Sequence, residues 1–129
     1  MRLPAITGLS RDSIEDLVRR RIRTFEIRSA HNLIVFSQAK LEDRVFVTDA
    51  VPPDVVPGLN GYIATIRGID IHMYRTQMST PLNFEEREMM AGRVQLVLHA
   101  YAKVRSVPKI EPYQPIMVDV IELQHCEAR

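Results

Sequence analysis

The sequence predicts an α+β fold, a small, mixed and mainly antiparallel β-barrel with two packed α-helices. Three observations lead to this prediction. Several short segments alternate apolar and polar residues with a period of two, the spacing of strands with one buried face. One long segment of this kind contains a phase slip, which is typical of the bent strands of small barrels. Two other segments place apolar residues three and four positions apart behind capping residues, which is a helical pattern.

The chain has the size and composition of one globular domain, which we expect to span residues 1–129. Its side chains are 46% hydrophobic and 26% charged, with a net charge of +1. Neither disorder nor a membrane-spanning protein is indicated by these values. Because no apolar signal segment follows Met1, we expect a cytoplasmic protein without a membrane partner.

A strand and a capped helix are predicted at the start of the chain. Leu3 to Thr7 is a short apolar segment that predicts a strand. Ser10 or Asp12 then begins a helix, since Asp12 and Glu15 have capping-box spacing. The apolar stripe of this helix consists of Ile14, Leu17 and Val18.

The end of this helix leads into the segment with the highest density of charged and hydroxyl side chains. Three cations close the helix: Arg19, Arg20 and Arg21. They complement the helix dipole or, alternatively, form a phosphate-binding patch. The next residues alternate as a strand, with Phe25 and Ile27 on one face. The other face carries Thr24, Glu26 and Arg28, and it is the best candidate for a site.

The middle of the chain predicts two strands and a loop. Leu33 to Ser37 is an unbroken apolar run, which predicts a strand buried on both faces. Arg44 to Thr48 alternates and predicts another strand. Ala50 to Gly61 is rich in proline and glycine. It predicts a long loop, either a binding or lid segment or a rigid crossover.

The phase slip lies in a strand predicted from Tyr62 to Tyr74. The apolar positions are Tyr62, Ala64 and Ile66 before the slip and Ile69, Ile71 and Met73 after it. A β-bulge at Gly68 would restore one buried face. We expect Gly68→Val to destabilise the fold by about 1–3 kcal/mol through dihedral strain.

The second helix is predicted from about Asn83 to Arg105. Asn83 and Glu86 supply its capping box. Its apolar stripe consists of Met90, Val94, Val97, Leu98, Tyr101 and Val104. Ile116 to Leu123 predicts a closing strand, with apolar residues at Met117, Ile121 and Leu123.

No established catalytic or metal-binding motif is present. The single cysteine, Cys126, excludes an intramolecular disulfide and a zinc site built from thiolates. The four histidines, His31, His72, His99 and His125, lack metal-ligand spacing. We therefore expect neither a metal nor a cofactor.

The first helix end and the strand after it resemble the signature of the ASCH domains, members of the PUA-like β-barrel superfamily. In that signature a helix end leads into glycine, any residue, lysine, two variable residues, glutamate, any residue and arginine. Glu26 and Arg28 match, whereas Arg21 replaces the glycine and Arg23 replaces the lysine. Three later segments resemble the family's acidic turn, next strand and closing strand: Asp43 to Val45, Gly61 to Ile69, and Ile116 to Leu123. The chain also resembles a small archaeal family of uncharacterised single-domain proteins.

The resemblance implies a cleft beside the signature strand, which relatives use to recognise RNA or modified nucleosides. We therefore predict that RNA or a nucleotide is bound by Arg23, Thr24, Glu26 and Arg28. Arg19, Arg20 and Arg21 would contact the nucleic-acid backbone. The tyrosines considered for stacking in the cleft are Tyr62, Tyr74 and Tyr113. The sequence leaves open whether the chain forms a homo-oligomer.

The alternative is a small hydrolase acting on a modified nucleoside or a related amide. Some ASCH proteins are amidohydrolases of acylated cytidine, whose lysine falls on Arg23 and whose catalytic threonine falls on Glu26. An arginine cannot act as the base that a lysine can become. In this reading Thr24 or water is the nucleophile, Glu26 the general acid or base, and Arg28 the group that stabilises negative charge. A third reading is a structural ion pair between Glu26 and Arg28.

Overall fold

The computed structural model describes residues 1–79, 84–108, 111 and 114–125. The elements follow in the order β1 (Arg2–Ile6), α1 (Arg11–Arg20), β2 (Ile22–Ile27), α2 (Ala30–Gln38), β3 (Arg44–Val47), β4 (Asn60–Ser79), β5 (Phe84–Ser106) and β6 (Met117–His125). The predicted α+β class, with a mostly antiparallel sheet and two helices, is confirmed. Across the described residues, no helix is long and apolar enough to span a bilayer.

The six strands form one sheet in the order β2-β5-β4-β3-β1-β6. The β1 and β3 pair is parallel, and the other described pairs are antiparallel. β6 pairs with β1 and also with the C-terminal half of β5. β5 therefore has three partners, with β2 and β6 beside different parts of its length.

The first of two hydrophobic clusters joins both helices to the sheet. Its helical members include Ile14 and Leu17 of α1 and Leu33 and Phe36 of α2. Of the two predicted start residues of α1, Ser10 and Asp12, the N-cap is Ser10, whose Oγ accepts a hydrogen bond from the Ser13 amide at 3.1 Å. Both helices are therefore held against the sheet by the apolar residues of one face.

The second cluster lies on the opposite face of the sheet. It draws buried residues from five strands: Leu3, Ala5, Phe46, Ile63, Ala102, Val104, Val118 and Val120. β3 shows the alternation directly, because Val45 and Val47 belong to the first cluster and Phe46 to the second. The two clusters are thus separated by a single layer of strands.

The helix predicted over 83–105 is wrong, because this segment is strand β5. Its buried residues recur at every second position: Val94, Leu96, Leu98, Ala100, Ala102 and Val104. The helical stripe depended on Val97 and Tyr101, which are only half-buried. Both periods fit several of the same apolar residues, and tertiary pairing on both sides selects the strand. The predicted cap, Asn83, lies outside the described residues.

The buried strand predicted over Leu33 to Ser37 is also wrong, because these residues lie in α2. Ser29 caps this helix by accepting a hydrogen bond from the Asn32 amide at 3.1 Å. One side of the helix is buried through Leu33, Val35 and Phe36, together with Asn32. A short apolar run has no periodicity that separates a buried strand from a buried helix turn.

The register shift predicted at Gly68 is confirmed. Ile66 pairs with Leu96 and Gly68 pairs with Gln95, so Arg67 is the extra residue of the bulge. The predicted strain is wrong, because the described glycines with positive φ are Gly8 and Gly58. A Cβ on Gly68 would lie 3.5 Å from the Gln95 Cβ, an ordinary contact.

A second bulge, which the sequence analysis did not predict, lies on β5. Ile63 pairs with Ala100 and Ala64 with Leu98, so His99 is the extra residue. Leu98 is buried in the first cluster, whereas Ala102 is buried in the second. The bulge therefore transfers the same run of even-numbered residues from one face of the sheet to the other.

In the closing strand, the buried face is not the one that carries the predicted apolar positions. Ile116, Val118 and Val120 are buried. Ile121 and Leu123 are instead 46% and 55% exposed. Apolar residues occupy both parities of this segment, so alternation alone could not choose the buried face.

Candidate functional site

The alternation predicted for β2 is present. Phe25 and Ile27 are buried, whereas Thr24, Glu26 and Arg28 are exposed. Ile27 pairs with Gly92 of β5 and belongs to the first hydrophobic cluster, which fixes the orientation of the strand. The polar side chains therefore lie on the strand face opposite the buried one, as expected.

A cavity of about 460 Å³, which we call the β2 cleft, lies where β2 passes into α2. Glu26 and Arg28 line it from the strand, and His31 and Asn32 line it from the first turn of the helix. The segment Thr7 to Leu9, between β1 and α1, also contributes to the lining. Two predicted site residues are thus brought together beside a helix N-terminus, where unpaired amides favour an anion.

Glu26 lies between two arginines. Its Oε2 is 3.7 Å from Arg28 Nη2, and its Oε1 is 3.7 Å from Arg93 Nη2. All three side chains are more than 60% exposed, and such pairs typically contribute at most about 1 kcal/mol to stability. The ion pair that the sequence analysis weighed is present, but it is too weak to hold the arginines against a ligand.

Arg93 was missed by the sequence analysis. It pairs in register with Glu26 across β2 and β5 and with Asp70 across β5 and β4. Its place beside Glu26 depends on the pairing of β2 with β5, which the helix predicted there concealed. The alternation of Arg93 and Gln95 with buried Val94 and Leu96 was the available signal.

Asn32 and His31 hold the floor of the β2 cleft in place. Asn32 is buried, and its Oδ1 accepts from the Thr7 amide at 3.1 Å while its Nδ2 donates to the Thr7 carbonyl at 2.9 Å. His31 Nε2 accepts from the Ile116 amide at 3.1 Å, so the neutral ring carries its proton on Nδ1, 3.2 Å from Asn32 Oδ1. His31 thus joins α2 to Ile116, just before β6, through Nε2, and Asn32 joins α2 to Thr7, just after β1.

Arg23 is not brought into the β2 cleft. It is on the same side of β2 as Phe25, whose ring centroid is 5.4 Å from the guanidinium carbon. Its Nη1 lies 3.1 Å from Asp16 Oδ2, and its buried Nε has no partner among the described groups. Arg23 thus connects β2 to α1, which separates it from the polar face carrying Glu26.

Two further arginines, Arg19 and Arg20, gather around the same carboxylate. Arg19 Nη2 and Arg20 Nε lie 2.6 and 3.1 Å from Asp16 Oδ1. The hydrogen bond from Arg19 lowers the pKa of Asp16, and the charges of Arg20 and Arg23 lower it further, against the opposing effect of burial. Arg21 ends the helix in the left-handed region, with φ of 70°.

This basic cluster and the β2 cleft lie at opposite ends of β2. Arg19 and Arg20 precede the start of the strand at Ile22, and Arg28 follows its end at Ile27. A strand advances about 3.3 Å per residue, so the two ends are about 16 Å apart. One extended ligand could reach both groups, whereas a single mononucleotide could not.

Thr24 is exposed but does not line the β2 cleft. It pairs with Gln95. Among the described side chains, none forms a hydrogen bond with the Thr24 hydroxyl that would let it act as a general base. The residues described also contain no group of three or more histidine, cysteine, aspartate or glutamate side chains placed to hold a metal ion.

Of the tyrosines considered for the β2 cleft, Tyr62 lines a different cavity. The side chain of Tyr74 and the whole of Tyr113 lie outside the described structure. Phe25, Phe36 and Phe46 are buried in the two clusters. The aromatic stacking surface predicted for the β2 cleft is therefore not found among the described side chains.

Comparison with known proteins gives a family. A family model described as "Protein of unknown function (DUF473)" matches residues 1–118. The chain belongs to the DUF473 family. An uncharacterised protein of the archaeon Methanocaldococcus jannaschii is 31% identical over 103 residues, which is 80% of this chain and 64% of that protein. No solved structure gives a significant match. The DUF473 match extends from β1 to the first residues of β6 and takes in the whole β2 cleft.

Proposed function

We propose that this DUF473 protein binds RNA or a nucleotide in the β2 cleft. The observation that carries the proposal is the meeting of Arg28 with the N-terminal turn of α2 in one cavity. An arginine makes bidentate contacts to a phosphate or to a base edge, and first-turn amides add donors for the same anion. Arg93 supplies a second guanidinium beside Glu26.

Glu26 has a different task in this proposal. A carboxylate beside a phosphate site accepts hydrogen bonds from an exocyclic amine or a ribose hydroxyl. Its two arginine neighbours keep it from repelling the phosphate, because they outnumber it. The β2 cleft would thus recognise a phosphate and a neighbouring donor group at once.

The basic cluster around Asp16 would extend the contact to a longer strand of RNA. Three guanidinium groups share that single carboxylate, so a net positive charge remains at the start of β2. Arg19 and Arg20 are largely exposed and would contact phosphates without reading bases. Arg23 is proposed only as the residue that positions this cluster.

The hydrolase alternative has less support. Thr24 lies outside the β2 cleft, and a hydroxyl needs a base within hydrogen-bonding distance to act as a nucleophile. Glu26 is exposed and flanked by arginines, which suits ligand orientation better than proton transfer. We therefore place Glu26 and Arg28 in ligand binding and assign no catalytic residue.

We also propose that the sheet closes into a barrel of the PUA-like type, which would make the ASCH resemblance structural. Two observations support this. Pairing runs from β5 through β4, β3, β1 and β6 back to β5. The second hydrophobic cluster draws on all five of these strands, as the interior of a small barrel would.

A titration with variants tests the binding proposal. We expect single-stranded RNA to bind the full chain, and Arg28→Ala to weaken binding by about 1–3 kcal/mol through lost bidentate contacts. Arg93→Ala should act in the same direction. Arg20→Ala should lower affinity mildly and reduce the salt dependence without changing base preference.

Arg67→Ala is the matched control. Arg67 is a half-exposed bulge arginine paired with Glu42 at 3.4 Å, and it does not line the β2 cleft. Affinity should be unchanged in this variant. Equal losses in Arg28→Ala and Arg67→Ala would reduce the interaction to unspecific charge attraction, and absence of binding by the wild type would remove the proposal.

A further inference from the structure

A second cavity of about 600 Å³ lies between the first turns of α1 and the strand face that carries Tyr62 and Tyr101. It has no lining residue in common with the β2 cleft. Arg11 and Glu15 line it from α1, and Asp49 lines it from the segment after β3. We call it the tyrosine pocket.

Its strand side is an aromatic wall. Tyr62 and Tyr101 pair in register across β4 and β5, and their ring centroids are 5.3 Å apart with the planes inclined by 53°. Ile14 of α1 is buried beside them, and Leu123 of β6 is 55% exposed at the edge of the pocket. Half-buried tyrosines next to apolar side chains form a surface on which a flat ring stacks.

The rim of the pocket carries more negative than positive charge. Arg11 Nε is 3.8 Å from Asp49 Oδ2, and Glu15 adds a second carboxylate for the same single guanidinium. A phosphate would meet this excess unfavourably, whereas amine and hydroxyl donors would find acceptors. The charge balance is thus opposite to that of the β2 cleft.

A buried hydroxyl provides a donor inside the pocket. Thr48 is 2% exposed, and its Oγ1 accepts a hydrogen bond from the Ala50 amide at 3.1 Å. Its O–H has no acceptor among the described residues. A ring carbonyl or ring nitrogen of a ligand could satisfy this donor, and buried donors are seldom left unpaired.

We propose that the tyrosine pocket binds the uncharged heteroaromatic ring of a nucleoside that carries no phosphate. The ring stacks on Tyr62 and Tyr101, Thr48 donates to a ring acceptor, and Asp49 or Glu15 accepts from an exocyclic amine or a ribose hydroxyl. This site is separate from the β2 cleft, and it stands or falls independently of RNA binding there.

The test is a titration of the full chain with adenosine, guanosine, cytidine and uridine, followed by amide chemical shifts. We expect at least one nucleoside to shift the amides of residues 48–49, 61–62 and 101–102 and to leave those of residues 26–32 unchanged. Tyr101→Leu keeps an apolar side chain but removes the stacking ring, and it should weaken binding about tenfold or more. Adding a 5′-phosphate to the same nucleoside should also weaken it, and raising the salt concentration should leave nucleoside affinity unchanged.

Asp49→Asn does not alter the aromatic wall. It should weaken the binding of a nucleoside that donates a hydrogen bond to the Asp49 carboxylate. Lys103→Ala is the matched control, since Lys103 is exposed on β5 and does not line the pocket. Unchanged affinity in both Tyr101→Leu and Asp49→Asn would overturn the proposal. So would the absence of shifts at residues 48–49 and 101–102 with all four nucleosides, or shifts confined to residues 26–32.

Discussion

Asp16 is the carboxylate on which three guanidinium groups converge, those of Arg19, Arg20 and Arg23. Arg19 and Arg20 come from its own helix, and Arg23 comes from the next strand, so the carboxylate fixes the angle at which α1 passes into β2. The arginines were expected from the sequence, whereas their shared partner was not. Asp16 lies on the helix side nearest β2, and only the turn at Arg21 brings the strand residue to it.

The pH dependence of stability should report this cluster. The pKa of Asp16 is lowered from 3.8, so its ionised form stabilises the fold above the pKa of the unfolded chain, and this contribution is lost as the pH falls through the folded pKa. We expect the urea midpoints of wild type and Asp16→Asn to differ at neutral pH, and the difference between them to shrink as the pH falls below 3.8.

Glu42→Gln serves as the comparison for that measurement. Among the side chains that the structure describes, Glu42 has one arginine partner, Arg67, and both are at least half exposed. A single exposed pair contributes little, so the neutral-pH difference should be smaller than for Asp16→Asn. A constant gap between wild type and Asp16→Asn from pH 7 to pH 3 would mean that the arginines do not act through the charge of Asp16.

At the scale of elements, the glycines of β4 show where the sequence analysis succeeded and where it did not. The bulge next to Gly68 was predicted from the phase of the apolar residues, and it is present. The glycine of this strand that lacks room for a side chain is instead Gly61, where an added Cβ would lie 2.6 Å from Phe46 Cε1 and 2.8 Å from the Val47 carbonyl oxygen. No local pattern in the sequence marks such an approach, because it is made by a neighbouring strand.

Alanine substitutions should therefore separate these two glycines. We expect Gly61→Ala to destabilise the protein by about 1–3 kcal/mol, because the Phe46 ring must move within a packed cluster. Gly68→Ala should change stability by less than about 0.5 kcal/mol or increase it, since its φ is not positive and the new Cβ makes an ordinary contact. Denaturant midpoints decide between them, and a larger loss at Gly68 would show that the bulge itself cannot accept a side chain.

The fold class was predictable because strand alternation in β2 and β4 is strong and local. The location of the second helix was not. In β5, the residues Val94, Leu98 and Val104 satisfy a helical and a strand period together, and the choice depends on partners far away in sequence. The same dependence hid Arg93 from the candidate site and Tyr101 from the tyrosine pocket.

At the scale of the whole molecule, one end of the β4–β5 hairpin extends beyond the strands that flank it. β3 pairs with β4 over residues 62–65, and β2 pairs with β5 over residues 92–97. Beyond these ranges, residues 73–79 and 84–90 pair with each other, and the described structure gives neither segment a partner on its outer edge. A two-stranded ribbon is marginally stable by itself.

Amide hydrogen exchange should reveal this division. We expect the amides of residues 61–66 and 96–104 to exchange much more slowly than those of residues 73–79 and 84–90, because the former open only when a hydrophobic cluster opens. Exchange followed by mass spectrometry of the native protein resolves these segments. Equal protection in both would indicate that another element or a second copy of the chain covers the ribbon.

The bulge at His99 makes β5 sensitive to the insertion or deletion of a single residue, whatever the side chain. Deleting His99 would remove the bulge and leave regular pairing. It would also turn every later residue of the strand over, so that Tyr101 would face the second hydrophobic cluster and Ala102 the first. β6 has its own extra residue, Leu123, opposite the step from Tyr101 to Ala102, so its alignment would be lost as well. In the central part of β5, chain length is thus as strictly determined as residue type. Natural insertions and deletions in relatives should accumulate in the loops and leave this strand's residue count untouched.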